Sequence, residues 1–243
     1  MKNLLTAPIL LTGILFFTAC KKENSDIASS NEEIATAKAS KPVTPIRVKT
    51  ETDGFGTKTF FYNVDLNSVG YSGPQNATYS YPDASHIIAN LPSYPVTSFE
   101  LNKKGLIEKG TSSNDISYYQ YNSKSQLIER FIQSGSDIDV YTFIYNNDGN
   151  LDSVKVESNG AAAGYQVFTY YTDKLNLLDH QAFGEGFRGA ESKNLMKSAT
   201  WHFYNGSSSV TNKTYEVDAM GRVTKVSTTI DANNMPDVTY TYY

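Results

Sequence analysis

The chain has one cysteine, Cys20, one tryptophan, Trp201, and three histidines, His86, His180 and His202, in 243 residues. A lone thiol forms no internal disulfide and no cysteine metal site, so any folded domain must be held by its core. The histidines stand far apart, and none has a second His or an acid at metal-ligand spacing. Each reads as a structural histidine. Charged residues make up only 19 % of the chain, with a net charge of −4 and no cluster of Lys and Arg. That balance argues against nucleic acid as a partner. The one long apolar run, residues 4–17, is shorter than the roughly 20 residues a spanning helix needs. There is no Gly-x-Ser-x-Gly elbow and no phosphate-cradling loop before a helix. Gly184-Glu185-Gly186-Phe187-Arg188-Gly189 has the glycines of a dinucleotide fingerprint without its βαβ context. No catalytic residue, metal or cofactor is therefore expected.

What the chain does have begins at its N-terminus. Lys2, the apolar stretch Leu4 to Phe17 and the small pair Thr18-Ala19 lead to Cys20. These are a charged n-region, an apolar h-region and a cleavage site. The arrangement resembles the lipobox of bacterial lipoproteins. The resemblance implies that the Cys20 sulfur receives a diacylglyceryl group, that the bond before it is cut, and that the new amine is acylated. Residues 1–19 would then be a removable signal peptide, and loss of Lys2 takes the net charge from −4 to −5. Two or three acyl chains anchor durably where one does not.

Residues 20–45 form the next unit. They have no aromatic residue and are rich in Ser, Lys, Glu, Ala and Pro. Such a stretch buries too little apolar surface to offset its ordering entropy and is expected to be a disordered tether. Cys20-Lys21-Lys22-Glu23-Asn24 partly resembles the surface-export signal of Bacteroidota lipoproteins, a Lys followed by acidic residues near the lipidated cysteine. Asn24 stands where the second acid would be. The implied location is the outer membrane, at the cell surface or facing the periplasm.

From residue 46 onward Tyr and Phe alternate with polar residues, as in Tyr141-Thr142-Phe143-Ile144-Tyr145 and Val238-Thr239-Tyr240-Thr241-Tyr242. This is the period of half-buried strands. The strands recur with their turns. Tyr145-Asn146-Asn147-Asp148-Gly149-Asn150-Leu151 is matched in type by Val217-Asp218-Ala219-Met220-Gly221-Arg222-Val223, and by Leu101-Asn102-Lys103-Lys104-Gly105-Leu106-Ile107. Tyr121-Asn122 leading to Leu127 and Tyr171-Thr172 leading to Leu177 read as degenerate copies, with Ser125 and Leu175 in place of Gly. In each unit Asn or Asp opens the turn with a side-chain bond to its own backbone. A residue three positions later takes positive φ. A spacing of roughly 24 residues holds one hairpin. The expected fold of residues 46–243 is all-β, an antiparallel meander of repeated hairpins, curled or closed into a barrel-like sheet.

This unit resembles the YD repeats of Rhs-type proteins. Together with the lipobox, it looks most like a Bacteroidota lipoprotein family of unknown function with a porin-like fold. That family carries no catalytic residues to transfer. The terminal Tyr240-Thr241-Tyr242-Tyr243 looks like the closing strand of an outer-membrane barrel. Glu129, Arg130, Asp152 and Lys155, however, put charge on both faces of their strands and favour a sheet in water.

An insertion near residues 184–197 interrupts the repeat and mixes Glu185, Phe187, Arg188 and Glu191. It is the first place to look for binding, with a mobile surface loop as the plainer reading. Trp201 could stack on a sugar ring, though alternating aromatics are also ordinary core filling. Runs such as Asn146-Asn147-Asp148-Gly149 and Asp231-Ala232-Asn233-Asn234 lack the closing acid of a calcium loop and read as turns. The expected function is a non-enzymatic binding or structural module, held to a membrane through Cys20, with a glycan, lipid or protein partner. Rival readings are a surface polysaccharide hydrolase and a carrier or assembly accessory for a hydrophobic ligand.

Overall fold

The computed structural model describes residues 46–91 and 94–243. The signal segment, Cys20 and the tether lie outside the described residues. Strands run in chain order as β1 (Val48–Asp53), β2 (Gly56–Tyr62), β3 (Ser68–Ser72), β4 (Ala77–Asp83), β5 (His86–Asn90) and β6 (Thr97–Leu101). There follow β7 (Ile107–Thr111), β8 (Asp115–Tyr121), β9 (Leu127–Ser134), β10 (Asp137–Tyr145), β11 (Leu151–Ser158) and β12 (Ala161–Leu175). The chain ends with β13 (Asn194–Phe203), β14 (Ser208–Val217), β15 (Val223–Ile230), β16 (Asn233–Asn234) and β17 (Val238–Tyr242).

Each strand pairs antiparallel with the next through β15, and β17 pairs with both β15 and β1. The sheet therefore closes into a 16-strand barrel, with two-residue β16 as a spur on β15. Of the curled and closed alternatives, closure is the one observed, and it leaves no open edge.

The hairpin ends show why these residues form this meander. Asn102 Oδ1 accepts the backbone N–H groups of Lys104 and Leu106, while Gly105 N–H returns to Asn102 O. Asn122, Asn146 and Asp218 make the same set of bonds. The fourth residue of each turn has positive φ, whether Gly105, Ser125, Gly149 or Gly221. A register shift follows each turn, where a bulge restores the inward phase. Asn63 makes an identical turn, with Leu66 at φ 62°. Thr172 does not make one: β12 continues through it to Leu175. The Tyr170 and Tyr171 hydroxyls hold that long strand to neighbouring walls by donating to Leu151 O and Lys213 O.

Sixteen strands spaced about 4.8 Å apart and tilted about 40° enclose a ring roughly 30 Å across, too wide for side chains alone to fill. The strong strand–strand contacts are all between sheet neighbours, so opposite walls do not pack on one another. Four buried clusters lie around the ring instead, and residues of the 176–193 connection, Phe187, Ala182, Leu178 and Phe183, enter three of them. The fourth gathers Phe168, Val154, Val156 and Met196. The core is annular: wall on one side, this connection on the other.

The two ends of the barrel differ. Arg47, Tyr243 and all five Asx turns lie at the end that the connection occupies, and Tyr243 N–H donates to Arg47 O at 3.1 Å. Exposed Lys103, Lys104 and Lys124 stand there, together with exposed Asp65, Asp83 and Asp148. At the opposite end the described turns carry Asp53, Asp115, Asp137, Asp231 and Asp237 and no Lys or Arg. Phe55 and Tyr204 project from that rim, 87 % and 80 % exposed.

The outer wall is largely hydroxylated and charged. Thr50 bonds Thr241 at 2.7 Å, Thr52 bonds Thr57 at 2.8 Å and Thr169 bonds Ser198 at 2.7 Å. Lys109–Glu100 and Lys225–Asp237 pairs span it at 2.7 and 2.9 Å. Apolar outward groups such as Phe61, Ile88, Tyr118, Ile144, Tyr165 and Val167 are exposed singly among them, on β2, β5, β8, β10 and β12.

Candidate functional site

The interruption read near residues 184–197 is the connection 176–193, and β13 already begins at Asn194. It is not a mobile surface loop. It folds into the barrel and makes a circuit of the inner wall. Val48 N–H donates to Ala182 O and Ser68 N–H to Gly184 O. Tyr79 on β4 meets Glu185, and Ala190 N–H reaches Ser125 O beyond β8. Ser192 Oγ then accepts Leu151 N–H from β11, and Asn194 exchanges two bonds with Asn150, both side chains buried. Glycine is required where the path presses on the wall. A Cβ at Gly189, where φ is +97°, would lie 2.6 Å from the Tyr121 ring and 2.7 Å from Ser125 O.

The residues singled out from the sequence divide into two places. Glu185, Phe187 and Arg188 sit together at the sealed end. Phe187 is buried among Tyr79, Ile87, Ala89, Phe99 and Ile107. Arg188 Nε donates to Glu185 Oε2 at 2.6 Å, Glu185 Oε1 accepts the Tyr79 hydroxyl at 2.8 Å, and Arg188 Nη2 reaches that hydroxyl at 3.3 Å. Burial works against the Arg188 charge, yet Glu185 and Tyr79 hold its pKa above the ordinary value. Burial first, then Glu185, pushes the Tyr79 phenol up. Trp201 is elsewhere, on β13, its ring 5.7 Å from Phe203.

The connection holds more ionisable groups than sequence reasoning identified. His180 lies in it, not on a strand, and meets Glu191 at 3.7 Å with both side chains buried. Burial drives the His180 pKa well below its usual value, with Arg188 adding to the effect. Burial also lowers Lys213, which Glu191 partly offsets. Asp179 is pushed up to about 6 by burial, against the bonds it accepts from Ala182 and Gln181 N–H.

The Asp179 shift has a testable sign. Its folded pKa of about 6 exceeds the ordinary 3.8. The folded state therefore takes up a proton first as pH falls through 6, and stability rises until pH nears 3.8. Above pH 6 the charge is a cost of up to about 3 kcal/mol, at 1.36 kcal/mol per pKa unit. Asn can still accept the Ala182 N–H, so Asp179→Asn should raise Tm at pH 7.5 and leave it unchanged near pH 4. Thermal melts at both values check this; equal effects at the two would contradict it.

Two depressions of about 460 Å³ each are present. One lies on the sealed face, bordered by Arg47, Asp65, Asp83, Lys104 and Gln181 and reaching Phe187. The other lies beside β16, among Asn212, Thr214, Ser227, Asn234 and Asp237. Toward the end of the bore opposite the connection, Tyr119, Arg130, Tyr141, Gln166, Trp201 and Phe203 share the inward phase of β8 to β13. Arg130 lies over Tyr119, 5.4 Å from its ring centre. Gln166 and Trp201 occupy directly paired positions. Yet Gln166 Oε1, Trp201 Nε1 and Arg130 Nε make no hydrogen bond to any described group. Among the described residues, no group of His, Cys, Asp and Glu is placed to hold a metal.

No family model matches this chain, and no curated protein matches it either. Solved structures do. A porin-like protein from Bacteroides uniformis is 18 % identical, with a TM-score of 0.62 over 83 % of this chain and 99 % of that one. A porin-like protein from Bacteroides vulgatus is 13 % identical, with a TM-score of 0.63 over 81 % and 99 %. The fold of this chain is thus the porin-like antiparallel barrel.

Proposed function

We propose that this chain is a non-enzymatic outer-membrane lipoprotein whose barrel stands in water as a cup and binds saccharide within its open end. One observation carries the reading. The chain fills one end of its own bore and leaves the other lined with the aromatic rings of Tyr119, Tyr141, Trp201 and Phe203 beside Arg130, Gln166 and Lys58. Rings flanked by a few placed donors and acceptors make a site with directional preference. The hydroxyl groups of a sugar suit such polar side chains better than a lipid tail does.

The outer wall supports placement in water. A lipid-facing strand needs about 9–11 residues with an apolar outer face, whereas β3, β5, β6, β7 and β17 have five each. Ion pairs also lie on the outer face. The porin-like neighbours and the lipobox at Cys20 support an outer-membrane address. With Arg47 at the sealed end, an anchor on Cys20 would leave the cup opening away from its membrane.

The rival readings find less support. Glu51 and Asp53 face the bore together, but Lys58 binds both at 2.7 and 3.4 Å, which makes an ion pair rather than an acid–base couple. A carrier of hydrophobic cargo calls for an apolar bore, whereas this one presents Arg130, Gln166 and Lys58.

A glycan array probed with the full chain in detergent should show saturable binding to a defined saccharide class, weakened at least tenfold in Trp201→Ala and less in Trp201→Phe. Uniform silence, or binding indifferent to Trp201, contradicts the site. The anchor is tested separately. Cys20→Ser should abolish metabolic labelling with a palmitate analogue and release the protein from outer-membrane fractions. Retention there without label contradicts lipidation.

A further inference from the structure

Two Asn-Gly steps occur in the sequence, Asn159-Gly160 and Asn205-Gly206. Both lie in turns of the open rim, the first between β11 and β12 and the second between β13 and β14. All four residues are exposed, and no atom lies within 4 Å of where a Cβ would stand on either glycine. Such a step can react with itself. The glycine nitrogen attacks the carbon of the asparagine side-chain amide, and a residue without a Cβ leaves that approach clear. With both glycines equally open, a difference between the two steps must come from how each asparagine is held.

They are held in opposite ways. Asn159 is clamped to the neighbouring hairpin: its Oδ1 accepts Ile138 N–H at 2.8 Å and its Nδ2 donates to Asp137 Oδ1 at 3.3 Å. Both ends of that amide are tied to β10, away from its own turn. Asn205 folds back on its own chain. Its Oδ1 accepts Ser207 N–H at 3.0 Å and the Ser207 hydroxyl at 2.6 Å. This loop carries the amide carbon over the Asn205–Gly206 peptide bond, which the Gly206 N–H bond to Phe203 O at 3.0 Å fixes in the turn. It also sets two donors on the oxygen that becomes an oxyanion once the carbon is attacked, and donors aimed at developing charge lower such a barrier. Asn63, Asn102, Asn122 and Asn146 accept the N–H two residues on in the same way. Each of them is followed by a residue with a side chain, Val64, Lys103, Ser123 or Asn147.

We propose that Asn205 is a self-modifying site, converted without an enzyme to aspartate and isoaspartate through a cyclic imide, with Ser207 as the residue that positions it. The steps balance. Hydroxide takes the Gly206 N–H proton, the nitrogen bonds to Asn205 Cγ, and the Cγ–Nδ2 bond breaks, the nitrogen leaving as ammonia with a proton from water. A second water opens the five-membered ring at either carbonyl. One opening restores the backbone with an aspartate side chain. The other routes the chain through the former side chain and lengthens it by one carbon. Attack within a held geometry is what makes such a step fast. Either product puts a carboxylate where a neutral amide stood, on a lip whose described turns already carry Asp53, Asp115, Asp137, Asp231 and Asp237 and no Lys or Arg. The saccharide reading plays no part in this inference.

The test is peptide mapping by mass spectrometry of the full chain incubated in detergent at pH 8, beside the same chain digested before incubation. In the folded protein Asn205 should convert at least tenfold faster than Asn159, and more slowly at pH 6, where hydroxide is scarcer. In the digested chain both steps are freed from their turns, and the two rates should agree to within about twofold. Ser207 is exposed, so Ser207→Ala keeps the fold and the backbone donor while removing the hydroxyl. It should slow Asn205 threefold or more in the folded protein and leave Asn159 and the digested chain unchanged. Equal rates at the two steps in the folded protein, a difference that persists after digestion, or an Asn205 rate indifferent to Ser207→Ala overturns the proposal.

Discussion

Replacing Phe187 by alanine is expected to cost about 3–5 kcal/mol of stability, the range for a large aromatic removed from a core. The ordinary reason is that Phe187 is only 7 % exposed. The particular reason is the annular core. Opposite walls of this barrel do not touch, so Tyr79, Ile87, Phe99 and Ile107 have no partner from across the bore. Phe187 is what they pack against, with the Tyr79 ring edge-on to it at 5.9 Å. A wall that cannot collapse across a wide bore leaves its cavity unfilled, which places the cost at the upper end of the range. For a chain of this size the loss corresponds to a Tm lower by roughly 6–20 °C. Urea and thermal melts of Phe187→Ala measure it, with Phe55→Ala as the exposed control, expected within about 0.5 kcal/mol of wild type. A loss under about 1 kcal/mol would show that the connection merely rests in the barrel.

Removing Arg188 should be nearly as costly. Arg188→Ala leaves the Glu185 carboxylate, a side chain 14 % exposed, facing the Tyr79 hydroxyl without its cation. Breaking a buried pair from one side costs about 3–5 kcal/mol. Because the Arg188 side chain keeps 23 % of its surface in water, about 2–4 kcal/mol is expected. The double variant Glu185→Gln with Arg188→Met should regain most of that loss, since it strands no charge and keeps the volume. Denaturant melts of the two singles and the double form the cycle. Additive losses would mean that the pair is not acting as a unit.

The strands were legible because alternation is local: Tyr141 to Tyr145 states its own period. So were four of the five Asx turns, each written within seven residues. Asn63 escaped because its positive-φ position holds Leu66, where neither a Gly nor an Asn signals the turn. Thr172 misled for the opposite reason, since the spacing to Leu177 copies the turn while the chain continues as strand. That outcome depends on Tyr170 and Tyr171 finding carbonyls on β11 and β14, which no local pattern reports. Ring closure was left open because it rests on β1 meeting β17 across nearly the whole domain. The connection 176–193 was the hardest segment to read. Its Asp, His, Glu, Arg and Lys look like a solvated loop, and only pairing in three dimensions, Glu185 with Arg188 and His180 beside Glu191, lets it enter the core. Glu185, Phe187 and Arg188 do lie together, but nothing in their order revealed that Phe187 faces the core while also bordering a surface depression. Trp201 stood out as the lone indole; its distance from that trio is a matter of topology.

The unlike rims have an electrical consequence. Five carboxylates and no Lys or Arg stand in the described turns of one lip, while the other mixes Lys103, Lys104 and Lys124 with Asp65, Asp83 and Asp148. Above an anionic surface the field falls off over a Debye length of about 8 Å at physiological salt. Within that layer the uniformly acidic lip is the one repelled. The barrel would experience a torque that turns this lip outward, so its attitude would be set in part by charge.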